Sequence, residues 1–122
     1  MDLPRPYSEW RTDTDGRWRD AFHSFGHLLL THARDGAINN TRSEHQDVAS
    51  TAATDALYNF MMILEGVVGV PAADDRRIEF ALVARVRETS TNAVIEQFEL
   101  APDGREPACM GFHIWTEGEF RE

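Results

Sequence analysis

The sequence contains no lysine. All twelve basic residues are arginine, set against twenty-one acidic residues for a formal net charge of −9. A chain this acidic is repelled by nucleic-acid phosphates and anionic lipid headgroups, so neither nucleic acid nor a membrane is an expected partner. All-arginine usage points to a GC-rich coding sequence and so to a bacterial source. Cysteine is nearly absent as well. Cys109 alone cannot form an internal disulfide, which fits a reducing compartment. No apolar run approaches the ~18 residues needed to span a bilayer. The opening "MDLPRPYSEW" lacks the basic and apolar regions of a secretory leader, so a cytoplasmic location is expected. Glycine-rich phosphate loops, nucleophile elbows and paired-cysteine zinc signatures are also missing, so no cofactor is implied by a motif.

What is present is a change of period along the chain. Its 122 residues fit one domain, 1–122, with residues 1–16 as an N-terminal arm marked by Pro4, Pro6 and Gly16. From about Arg17, the residues Trp18, Phe22, Phe25, Leu29 and Ala33 fall on one helical stripe. Asp35-Gly36 reads as the C-cap of that helix. Thr41-Arg42-Ser43-Glu44 matches a capping box, which opens a second helix running to Glu65 and Gly66. Its inward face is expected to be His45, Val48, Ala49, Ala52, Ala56, Phe60, Ile63 and Leu64. The loop between the two helices is short, so they should pack antiparallel.

Beyond "VVGVP" the period becomes 2. Ile78, Phe80, Leu82, Ala84 and Val86 alternate with Glu79, Ala81, Val83, Arg85 and Arg87. "AVIEQFEL" and "CMGFHIWT" continue the alternation after the turns "TSTN" and "APDGRE". The expected fold is therefore α+β: a two-helix antiparallel hairpin packed on one face of a three-stranded antiparallel β-meander.

Three histidines crowd "HSFGHLLLTH", but advancing ~100° per residue separates them. His23 and His27 fall on the polar side of the first helix. With Asp20 one turn earlier they make a candidate two-histidine, one-carboxylate metal stripe, against the alternative of an ordinary solvated face. His32 falls on the apolar side, and across the hairpin its neighbour should be His45, as a half-buried pair. Cys109 and His113 on one strand would lie about 13 Å apart, too far for a nucleophile and its base.

Two functional readings follow. The first is a small acidic, non-enzymatic interaction protein, most concretely an inhibitor or immunity-type protein that occludes a basic target. Its contact would be an exposed sheet face with Val83, Ile95 and Trp115, rimmed by Glu96, Glu99, Glu117 and Glu119. The same face would suit a homodimer. The second is a metal-dependent or acid–base enzyme using the histidines of the helical hairpin.

Overall fold

Asp13 starts the first helix. Its carboxylate accepts from the Gly16 amide at 2.8 Å, and its backbone is extended, as at an N-cap. The computed structural model describes residues 3–102 and 107–120. Helix α1 spans Thr14–Leu28. It then widens into a π-helical turn over Leu29–Arg34 and resumes as α2 (Asp35–Asn39). The expected stop at Asp35-Gly36 is thus corrected. Gly36 does not adopt the left-handed conformation of a C-cap, and the helix continues to Asn39. The extra residue of a π turn rotates everything beyond it by about 100°. Leu29 and Leu30 are buried in consequence, while His32 and Ala33 face outward.

The second helix also begins later than its capping signal. Because the first helix reaches Asn39, the Thr41 hydroxyl lies beside that helix's last carbonyls and donates to Ala37 O at 2.9 Å. A single 3₁₀ turn, Ser43–His45, leads into α3 (Gln46–Leu64). Its stop is as expected: Gly66 takes a φ of 72°, a conformation that costs other residues but not glycine.

The strand reading holds in part. The stretch from Arg76 does not form one long strand. β1 (Val70–Ala73) pairs with β2 (Arg76–Ile78), and β3 (Leu82–Arg87) pairs with β4 (Val94–Leu100), both antiparallel. Residues 79–81 join the two hairpins and belong to neither, since β2 pairs backward and β3 forward. Within β3 and β4 the alternation is as expected. Leu82↔Leu100, Ala84↔Phe98 and Val86↔Glu96 share the inner face, while Val83↔Glu99 and Arg85↔Gln97 share the outer one. The "TSTN" turn closes by Glu88 N donating to Ala93 O at 2.9 Å. Of the second turn, residues 103–106 lie outside the described residues.

The third strand is a helix. Ala108, Gly111, Phe112 and Trp115 are the buried residues of α4 (Ala108–Thr116), at i, i+3, i+4 and i+7. The apparent two-residue period of Phe112, Ile114 and Thr116 is three positions long, too short to outweigh it. The protein is therefore α+β, and its described residues form helices and two two-stranded antiparallel sheets rather than a helical hairpin on one face of a three-stranded meander.

α1 is covered on both sides. Trp18 Nε1 donates to Glu99 O of β4 at 2.8 Å and ties the helix to the sheet. On the other side α1 crosses α4 through two glycines. A Cβ on Gly26 would come within 2.2 Å of the Trp115 ring, and one on Gly111 within 2.5 Å of Phe22. Trp18, Phe22, Leu30, Met61, Phe98 and Trp115 fill the space between these layers. Each such side chain contributes about 1.5–3 kcal/mol on burial.

Candidate functional site

Asp20 and His23 were expected on a solvated face, yet they are 2% and 1% exposed. Asp20 receives the Arg11 backbone amide at 2.9 Å and the Arg11 guanidinium at 3.1 Å, which pins the N-terminal arm to α1. His23 Nδ1 accepts from Trp115 Nε1 at 2.9 Å across the α1–α4 crossing. With one ring nitrogen accepting an N–H, neutral His23 carries its proton on Nε2. His27 lies a turn further on, its ring edge-on to Phe120 with centroids 5.1 Å apart. The metal stripe is thereby corrected. Asp20 is held by Arg11 and His23 by Trp115, and among the described residues no three His, Cys, Asp or Glu side chains are grouped to hold a metal ion.

The buried pair His32 and His45 is corrected as well. Both are exposed, His45 at 65% beside Glu44. The π turn rotates His32 outward, and the longer first helix moves the bend of the hairpin past it.

Cys109 and His113 lie four residues apart on a helix rather than a strand, so they share a face. The thiol is nevertheless unreactive in character. Burial, and then the Glu65 carboxylate beside it, push its pKa from the ordinary 9.0 up to about 11. Glu65 also accepts from the Cys109 amide at 2.9 Å, satisfying the first turn of α4. His113 packs on Tyr58 with ring centroids 5.4 Å apart.

The sheet face loses two of its expected members. Trp115 is 1% exposed inside the core. Glu96 is on the inner face, where Arg17 donates to both its oxygens at 2.8 and 3.0 Å. That hydrogen bond to a carboxylate raises the Arg17 pKa above its ordinary value. Val83 and Ile95 are exposed, 41% and 64%, and Glu99 lies opposite Val83. Glu117 and Glu119 are exposed just beyond α4.

Two surfaces stand out that the sequence pattern assigned elsewhere or missed. The first is α3. Val48, Ala52, Ala56, Phe60 and Ile63 do share one face, but that face is outside: Val48 is 72% exposed, Phe60 38% and Ile63 39%. From Gln46 to Leu64 the only charges are Asp47 and Asp55. These two flank a shallow depression floored by Val48, Thr51 and Ala52. The second surface is an open groove of about 460 Å³ between α1, the N-terminal arm and β3, walled by Tyr7, Trp10, Phe25 and Leu28. The aromatic pair Tyr7 and Trp10 was the available signal for it, in an arm otherwise read as irregular chain.

Fold and surface together define an acidic α+β protein with an exposed apolar helix face and, among the described residues, no group of three or more His, Cys, Asp or Glu side chains placed to hold a metal ion. Comparison with protein-family models, with curated proteins and with solved structures finds no match for the chain.

Proposed function

We propose that the chain is an acidic, non-enzymatic interaction protein that occludes a basic protein target, with the outward face of α3 as its principal contact. The observation that carries this reading is the exposed stripe from Val48 to Ile63. A 19-residue helix that leaves such a stripe in water has its partner outside the chain. Asp47 and Asp55, with no basic residue between Gln46 and Leu64, select a partner whose apolar face is flanked by Arg or Lys. The net charge of −9 steers such a partner in, and Glu99, Glu117 and Glu119 extend the acidic surface around it. Inhibition would be steric. A reducing bacterial cytoplasm suits the single thiol, and no helix among the described residues is long and apolar enough to cross a membrane.

The test uses a designed amphipathic peptide with a Leu/Ala stripe between Arg residues, and its counterpart with Glu in place of Arg. Calorimetric titration should show binding of the basic peptide only, weakening as salt rises. Val48→Asp, on a side chain 72% exposed, should abolish binding without unfolding the protein. Equal binding of both peptides, or binding indifferent to Val48→Asp, would overturn the reading.

A further inference from the structure

We propose that the open edge of β3 pairs with the same edge of a second copy, joining two two-stranded sheets into one four-stranded antiparallel sheet. Among the described residues β3 is hydrogen-bonded on one side only, to β4. A two-stranded ribbon is marginal in water, and further strands stabilise it. The groove lies along this open edge. Five consecutive residues, Leu82 to Val86, line it, against Leu100 alone from β4. Successive side chains of a strand point to opposite faces, so a run of five means that the groove opens along the strand's edge as well as over its inner face. Apart from the outward Arg85, the usual guards of an edge are missing there. From Leu82 to Val86 there is no proline, no charge on the inner face and no bulge; the register first slips between Val86 and Arg87.

The strand is complementary to itself. A two-fold axis at Ala84 sets Leu82 opposite the partner's Val86 and Val83 opposite the partner's Arg85. Apolar side chains then continue across the inner face, and no arginine opposes another. Centring the axis on Arg85 would put Arg85 against the partner's Arg85, and a slip of one residue would turn the apolar side chains outward. Phe25 and Leu28, the latter 49% exposed, stand over the same edge and are covered when the second copy docks. Such a contact is isologous and closes at the dimer. Each copy carries a charge of −9, so salt, by screening, strengthens this association. Binding of a basic partner at α3 responds in the opposite direction, which separates the two proposals.

Three measurements test the pairing. Sedimentation equilibrium over a dilution series should show a monomer–dimer equilibrium that shifts to dimer as salt rises. Leu28→Asp should weaken it by about tenfold or more while leaving the circular dichroism of the monomer unchanged. In a Cys109→Ser background, Ala84→Cys should oxidise to a disulfide-linked dimer, because opposed residues of an antiparallel pair lie about 4.5–5.5 Å apart. Arg85→Cys should not, being diagonal to its counterpart at roughly 7–8 Å. A protein monomeric at every concentration and salt would overturn the proposal, as would equal cross-linking at both positions.

Discussion

His23 and Trp115 hold one another in a core that would otherwise have no use for either polar group. The Trp115 Nε1–H meets His23 Nδ1 at 2.9 Å, and both residues are 1% exposed. Trp115→Phe removes this hydrogen bond together with part of the ring. The expected cost is at least the ~1–3 kcal/mol of a lost buried hydrogen bond, read as a lower urea midpoint. Cys109 gives a pH prediction of definite sign. Its folded pKa, about 11, lies above the ordinary 9.0, so between these values the folded state binds more protons than the unfolded. Stability is therefore fully present below pH 9 and falls as pH rises toward 11, and Cys109→Ala should flatten that fall. At pH 8 the native thiol should alkylate roughly a hundredfold more slowly than in urea. Sequence alone could not place these residues inside. A helical wheel sorts residues by angle about one axis, and it put Asp20 and His23 opposite Trp18 and Phe22. That side is covered by the N-terminal arm and by α4, which the wheel does not contain.

At the scale of elements, the α1–α4 crossing depends on two missing side chains. Gly26→Ala would gain about 1 kcal/mol of helix propensity but must displace the Trp115 ring, at about 1–3 kcal/mol for overpacking. Net destabilisation is expected by chemical denaturation, although the substitution favours an isolated helix. Glu65→Ala should cost about 0.5–2 kcal/mol as a lost cap on α4. It should also speed alkylation of Cys109, because Glu65 is one cause of the raised thiol pKa. The elements that were legible are those with a long, unbroken period. The stripe from Trp18 to Leu29, the two faces of β3 and β4, and the Gly66 stop all read directly. α4 did not, because nine residues contain both a brief alternation and a helical spacing, and only packing decides between them. The π turn left no mark in the sequence, and it moved His32 and the whole hairpin bend. Periodicity grouped Val48, Ala52, Ala56, Phe60 and Ile63 correctly. It could not say whether the group faces the core or the solvent.

For the whole molecule, charge and exposed apolar surface act together. Among the described residues, eight of the thirteen large exposed apolar side chains fall between Val48 and Phe80, in α3, the β1–β2 hairpin and the short segments on either side of that hairpin. A monomer seldom leaves that much in water without a partner. The central claim is that a basic partner docks on the outward face of α3. Backbone hydrogen exchange, with and without the basic amphipathic peptide, tests it most directly. The account predicts added protection, or broadened exchange, confined to residues of α3 between Asp47 and Ile63, lost in Val48→Asp and diminishing as salt is added. Protection that appears instead on the outer face of β3–β4, or that persists unchanged in high salt, would contradict it.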